Sequence, residues 1–166
     1  MKTISYAVFC LKVFLGSVFF ETSAFADSGV RFLAIGNPSA IRIQGTSPTV
    51  TVEKTEWKNG KFTGGFEVPL DTLTTGISMR DRHLKEKYLE TTKYPKAAMG
   101  FSDCPLKEGE TTCEGKLTLH GVTKPVPVKL VANAIGEKAF RVAADFSVNL
   151  SDYGIAIPKF ANVTVA

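Results

Sequence analysis

Residues 140–150, FRVAADFSVNL, alternate between apolar and polar side chains along eleven consecutive positions. Phenylalanine, valine, alanine and leucine occupy the even positions, while arginine, aspartate, serine and asparagine occupy most of the odd ones. A repeat of two residues is the period of a β-strand with one buried and one wet face. The stretch therefore predicts a strand that turns Phe140, Val142, Phe146 and Val148 toward an interior.

The same alternation recurs elsewhere and predicts a sheet. Residues 120–125, HGVTKP, separate two alternating runs and predict an antiparallel hairpin, and Asn59-Gly60 predicts a second turn. With the remaining candidates the chain has about eight or nine strands, which predicts an all-β barrel or sandwich in a single domain. The other candidate strands are residues 30–34, 41–45, 49–57, 62–70, 98–104, 116–119, 126–130 and 160–165.

One segment alone predicts helix. Residues 74–95, TTGISMRDRHLKEKYLETTKYP, place opposite charges at helical i,i+4 spacing, and Ile77, Leu84 and Tyr88 mark a narrow apolar stripe. Gly76 weakens the beginning, and Pro95 forces the preceding residue toward an extended conformation. We therefore expect a short helical cap, in one or two pieces, whose apolar face covers the sheet.

The first residues have the build of a secretory signal peptide. Lys2 precedes an apolar run at residues 13–20, and Ala24-Phe25-Ala26 forms a small-residue cleavage site. A membrane anchor is disfavoured because this run is much shorter than the roughly 20 residues that span a bilayer. We expect residues 1–26 to be cleaved and residues 27–166 to form one secreted domain.

The mature chain is only mildly basic. Removing Lys2, Lys12 and Glu21 from 20 basic and 16 acidic residues leaves 18 and 15, a net charge of +3. Charges of both signs are interspersed and form no long block of one sign. The composition therefore predicts neither nucleic-acid binding nor stable membrane insertion after cleavage.

Cys104 and Cys113 are the cysteines of the mature chain, and an even count in a secreted protein predicts a disulfide between them. A metal or redox pair is disfavoured because the spacing is not CxxC and the histidines lie elsewhere. If Met99 and Phe101 point inward, Cys104 has outward parity although Cys113 has inward parity. Either Gly115 marks a bulge or the disulfide lies beyond the ladder, and we favour the bulge.

Candidate catalytic residues are few. His83 and His120 stand without another histidine or cysteine at metal-ligand spacing. Ser151-Asp152 lacks the GxSxG context of a nucleophile elbow. We therefore predict no catalytic residue, no metal and no cofactor.

Three blocks, residues 68–97, 115–130 and 146–155, resemble the YceI-like family of secreted lipocalin-like proteins. The three blocks together cover over a third of the mature chain, and the resemblance rests on TTG before RDRHL, YP after the cap, the LTLHGVTKPV hairpin and the SDYGI turn. The chain departs from the family at VRFLAIGNPSAIRIQG, where members often have an aromatic opening and an hSxxxF strand. His120 also stands where members often have arginine.

The resemblance implies a single antiparallel eight-stranded lipocalin-like β-barrel with a short helical cap, located in the periplasm. Its apolar interior would hold a long isoprenoid lipid, such as a polyprenyl phosphate or a ubiquinone-like molecule. Together with the inferred inward faces, it makes ligand-binding candidates of Phe62, Phe66, Val68, Leu70, Phe101, Leu117, Leu119, Val128, Phe140, Val142, Phe146 and Val148.

Residues 80–93 of the cap carry five basic and three acidic side chains, a local charge of +2. Such a cap suits an anionic head group, and Arg80, Arg82 and His83 are its candidate contacts. The alternative is a solvated helix face without a ligand.

Two other functions stay open. A filled barrel would serve as a non-enzymatic interaction or stress-response module, and a lipid-modifying enzyme, which is less favoured, would need a titratable pair at the cavity. A carrier returns its extracted ligand unchanged, which distinguishes it from the enzyme. A homodimer is also left open.

Overall fold

The computed structural model describes residues 12–15, 29–37, 42–134, 140–156, 159–160 and 163–165. Within these ranges the strands form one curled antiparallel sheet with a short helical insert, which confirms the predicted all-β fold. The strands are β1 Lys12–Leu15, β2 Val30–Asn37, β3 Arg42–Ser47, β4 Thr51–Val52, β5 Glu56–Lys58, β6 Lys61–Pro69, β7 Lys96–Pro105, β8 Gly109–Leu119, β9 Val122–Ala134, β10 Phe140–Asp145, β11 Lys159–Phe160 and β12 Val163–Val165.

The sheet has the order β11-β12-β2-β1-β10-β9-β8-β7-β6-β4, with β3 beside β2 and β5 beside β6. Strand β3 pairs with β2, and a few residues later β4 pairs with β6, so one bent segment joins the two sides of the sheet. Ser47 stabilises this corner because its buried hydroxyl shares a 2.6 Å hydrogen bond with the Thr72 hydroxyl and accepts one from the Thr49 N–H. The sheet therefore curls into a half-barrel.

Strand β1 lies inside the predicted signal peptide. It pairs with β2 on one side and with β10 on the other. Cleavage after Ala26 stays a prediction, and a mature chain that begins at Asp27 would lack this strand.

Residues 49–57 do not form the single strand that was predicted. Strands β4 and β5 pair with β6 in registers that differ by one residue, with Val52 opposite Phe66 but Trp57 opposite Phe62. The segment between them passes over Gly64, where a Cβ atom would lie only 2.8 Å from the Thr55 methyl group. This close approach divides the strand and raises the number of strands above the predicted count.

The predicted hairpin is confirmed, but its turn is shorter than predicted. Strands β8 and β9 pair from Gly109 opposite Ala132 to Leu119 opposite Val122. His120 and Gly121, with φ of 51° and 76°, form the whole turn. Positive φ at both central residues is the geometry of a type I′ hairpin, so residues 122–125 belong to β9.

Strand β10 is shorter than the alternation predicts. Its ladder with β9 ends at Asp145 opposite Lys129. On β9, Pro127 lies two residues beyond this last pair. Proline has no N–H to donate to a ladder. Phe146 and Val148 are nevertheless buried, so the alternating burial continues beyond the strand. A 3₁₀ turn at Leu150–Tyr153 follows.

The cap consists of helix α1, Ser78–His83, and a π-helical turn, Leu84–Tyr88, that follows it directly. Leu84 and Tyr88 are half-buried against the core, whereas Ile77 is exposed. The predicted short helix is confirmed, but only part of its apolar stripe is buried.

Cys104 and Cys113 form the predicted disulfide, with Cα atoms 5.6 Å apart. The predicted bulge at Gly115 is wrong, because the β8–β9 ladder keeps its register through Gly115 and the β7–β8 ladder reaches Gly115 in register, where it ends opposite Phe101. The extra residue lies in β7, whose register with β6 shifts by one where Asp103 adopts a φ of 52°. This bulge turns Cys104 inward and resolves the conflict of parity.

Candidate ligand-binding cavity

A cavity of about 400 Å³ lies between the cap and the inner face of the half-barrel. Its wall is almost entirely apolar and comes from β2, β3, β6, β7, β8 and the segment after β10. Five of the predicted ligand-binding residues line it, all in the half of the sheet nearer the cap: Val68, Leu70, Leu117, Leu119 and Phe146.

The other predicted ligand-binding residues point inward but lie outside the cavity lining. Phe101 packs against Phe62 and Phe66, with ring centroids 5.8 and 6.2 Å apart. Phe140 packs edge to face against Trp57 at 5.3 Å. These contacts fill the end of the half-barrel opposite the cap. The members of this set are Phe62, Phe66, Phe101, Val128, Phe140, Val142 and Val148.

Sequence reasoning missed part of the lining. Val30, Phe32 and Ala34 alternate along β2, and Ile43 faces them from β3. This alternation was present in the sequence, but the segment was treated only as a strand candidate. Ile77, Leu84 and Tyr88 formed a recognised stripe and also line the cavity, together with Leu73, Met79, Leu89, Ala97, Leu150, Ile155 and Ala156.

The polar side chains in the lining all come from the cap region: Thr75, Arg80 and His83. Arg80 donates through Nε to the Thr75 hydroxyl and through its second terminal nitrogen to the Thr75 carbonyl, both at 2.8 Å. These bonds leave other N–H groups of the guanidinium available to a ligand. Arg82, the third predicted head-group contact, is exposed and does not line the cavity.

Asp81 holds the start of the cap against the preceding loop. Its carboxylate accepts hydrogen bonds from the Thr74 hydroxyl at 2.6 Å, the Thr75 N–H at 2.7 Å and the Thr75 hydroxyl. Burial raises the pKa of Asp81, but the hydrogen bonds from Thr74 and Thr75 outweigh it and lower the pKa below the ordinary value. The charged form of Asp81 therefore fixes Thr75, which in turn orients Arg80.

His120 joins the far end of the cap to the hairpin and to the 3₁₀ turn. Its Nε2 lies 2.7 Å from the carboxylate of Glu90, and its Nδ1 lies 3.2 Å from the carbonyl of Tyr153. Tyr94 packs against the imidazole ring at 4.3 Å. Glu90 adopts a φ of 45°, a left-handed conformation that is uncommon outside glycine. The three sequence blocks that carried the family resemblance therefore meet at His120.

Within the described ranges, no group of three or more histidine, cysteine, aspartate or glutamate side chains is placed to hold a metal ion. The helices in the same ranges include none that combines the length and the apolar character needed to cross a membrane.

A half-barrel with an apolar cavity under a helical cap defines a lipocalin-like fold. The family model of the YceI-like domain matches residues 20–166. The chain therefore belongs to the YceI-like family. This result confirms the resemblance seen in the sequence.

A UPF0312 protein of Pseudomonas savastanoi pv. phaseolicola is 37% identical over 100 residues, which are 55% of this chain and 52% of the relative. Protein YceI of Shigella flexneri is 34% identical over 90 residues, 51% of this chain and 47% of the relative. The matched stretch thus spans about half the length of these curated relatives.

Among solved structures, the YCEI protein of Campylobacter jejuni superposes with a TM-score of 0.58 at 15% identity, covering 84% of this chain and 79% of that one. At so low an identity, the likeness concerns the fold.

Proposed function

We propose that this chain is a periplasmic carrier that holds a long isoprenoid lipid in the cavity beneath its cap. The observation that carries the proposal is the cavity of about 400 Å³ with an apolar wall and its polar groups confined to the cap. This volume is in the range of about 300 to 1,000 Å³ that is common for ligand sites. The wall suits a hydrocarbon chain, and the polar groups suit a head group.

Burial of the hydrocarbon chain of the lipid supplies the binding free energy in this proposal. Ten methylene-sized groups removed from water contribute about 8 kcal/mol before the costs of association and ordering. A carrier therefore needs no catalytic group. The cavity also weighs against the alternative of a completely filled barrel.

The test is to extract and identify the lipid that co-purifies with the protein from the cell. The full chain, with residues 1–26, is expressed, the periplasmic fraction is purified, and organic extracts are examined by mass spectrometry. We expect an unmodified isoprenoid lipid, and we expect the intact mass of the protein to match a chain that begins at Asp27. Protein without any co-purified lipid would contradict the carrier, and a chemically altered lipid would favour the enzyme.

We also propose that the head group of the lipid lies beside Arg80 and His83. Arg80→Gln should weaken a polyprenyl phosphate at low salt and leave a neutral quinone almost unchanged, because only the phosphate pairs with a guanidinium. Arg82→Gln is the matched control, since Arg82 has the same charge but lies outside the lining. Equal losses for both ligands, or in both variants, would contradict this placement.

A further inference from the structure

The cap exposes apolar side chains at the edge of the cavity. Among the described residues, the large apolar side chains with high exposure are Trp57, Ile77 and Met79, at 51%, 54% and 66%. Trp57 packs against Phe140 at the opposite end. Ile77 and Met79 are neighbours at the start of the cap, and both also line the cavity. An apolar surface is thus continuous from the solvent into the interior.

The same cap is rich in basic side chains. The cap from Ser78 to Tyr88 carries Arg80, Arg82, Lys85 and Lys87, against only two acidic residues. One of those acids, Asp81, is directed to the hydroxyls of Thr74 and Thr75. The outer surface of the cap therefore combines exposed apolar side chains with positive charge.

We propose that this face of the cap, formed by Ile77, Met79 and the basic residues around them, docks on the surface of an anionic lipid bilayer. Ile77 and Met79 enter the head-group region, and Arg82 and Lys87 pair with lipid phosphates. Charge complementarity favours a membrane with anionic lipids over a neutral one.

Docking in this orientation would align the mouth of the cavity with the bilayer. The Met79 side chain can pack against either the cavity or the bilayer because it is unbranched and flexible. Transfer of cargo through this mouth rests on the proposed lipid-carrier function, whereas docking itself does not.

The test is flotation, with lipid vesicles, of the protein that is expressed as the full chain and purified from the periplasmic fraction. Vesicles of phosphatidylcholine alone are compared with vesicles that also contain phosphatidylglycerol. The apolar variant is Ile77→Ser with Met79→Ser, and its control is Trp57→Ser, an exposed apolar residue at the opposite end. The charge variant is Arg82→Gln with Lys87→Gln, and its control is Lys58→Gln with Lys61→Gln, two exposed lysines of the β5–β6 turn.

We expect binding to anionic vesicles only, and a loss of about tenfold or more in the charge variant, since each basic residue near such a surface contributes substantially. The apolar variant should lose binding to a similar extent, and both controls should bind like the parent. The salt dependence should be shallower in the charge variant than in the parent.

Several outcomes would overturn the proposal: no vesicle binding by the parent, equal binding to neutral vesicles, or equal losses in the controls. Self-association that disappears with Ile77→Ser and Met79→Ser, without vesicle binding, would assign this face to a second copy of the chain. Lipid content of each variant is measured in parallel by mass spectrometry. A parent that carries lipid but does not bind vesicles refutes docking alone, and one that binds vesicles but carries no lipid refutes the carrier alone.

Discussion

The two ends of the half-barrel use the same strands but differ in what occupies the space between them. At the filled end, near the β5–β6 turn, the rings of Phe62, Phe66 and Phe101 pack against one another. At the hollow end, beneath the cap, the same strands β6 and β7 contribute the aliphatic side chains of Val68 and Ala97 to a cavity. Parity along a strand thus decides which side chains point inward. The position of a residue along the strand decides whether its side chain packs in the core or lines the cavity.

Gly115 shows how tightly the filled end is packed. A Cβ atom at this position would lie 2.6 Å from the Met99 sulfur and 3.1 Å from both Phe101 and Val128. A side chain here would force these neighbours to shift. The apolar cavity therefore lies at the hollow end, beneath the cap.

Truncating one phenylalanine at each end gives the largest expected contrast. Phe101→Ala should lower the free energy of unfolding by about 3 to 5 kcal/mol, because it opens a cavity in a filled core. Phe146→Ala should cost about 1 to 2 kcal/mol less, because its ring already borders empty space and has fewer contacts to lose. Denaturant unfolding of delipidated protein, followed by circular dichroism, measures both values.

The amount of bound lipid should change in the opposite order. Lipid retention should fall in Phe146→Ala and stay near the parental level in Phe101→Ala, provided that both variants are folded at the temperature of the assay. Equal stability losses, together with equal lipid content, would erase the distinction between the two ends.

The disulfide belongs to the filled end, and its removal should affect stability without affecting the cavity. Cys104→Ser with Cys113→Ser should lower the free energy of unfolding by about 2 to 3 kcal/mol on the chain-entropy model. Non-reducing peptide mapping of the parent first verifies the bond, and denaturant unfolding then compares the two proteins. An unchanged midpoint, or a loss of lipid as large as that in Phe146→Ala, would contradict this assignment.

The sequence predicted the features that depend on local chemistry. Period-two alternation identified the main strands, Asn59-Gly60 and residues 120–125 identified turns, and the cysteine count identified the disulfide. Each of these signals lies within a few residues of the feature that it predicts, so no tertiary information is needed.

What could not be predicted depends on contacts between distant segments. The parity of the two cysteines predicts a bulge at Gly115, but the extra residue lies at Asp103, which adopts the left-handed conformation, as aspartate can. The family resemblance predicts a lipid site, and parity then selects its residues without regard to their position along each strand, so the list mixes the cavity residue Leu119 with the core residue Val128. The link between Glu90 and His120 spans thirty positions and has no local signature.

The smallest expected effect is a pH dependence that is specific to the hollow end. The folded-state pKa of Asp81 is lowered, because the hydrogen bonds from Thr74 and Thr75 outweigh the opposing effect of burial. A lowered pKa stabilises the fold above the pKa of the unfolded chain, near 4, and this contribution is lost as the pH falls through the folded pKa. Because Asp81 is partly exposed, we expect only about 0.5 to 1 kcal/mol.

Asp81→Asn is the matched variant, since asparagine keeps the shape but does not titrate in this range. At neutral pH it should be slightly less stable than the parent, and the difference should shrink as the pH falls below about 4 and through the lowered pKa of Asp81, because the folded parent then loses this charge as well. Lipid release should follow the same pattern, since Asp81 fixes the loop that orients Arg80 at the cavity. Parallel stability profiles for the two proteins across this range would show that the charge of Asp81 does not secure the cap.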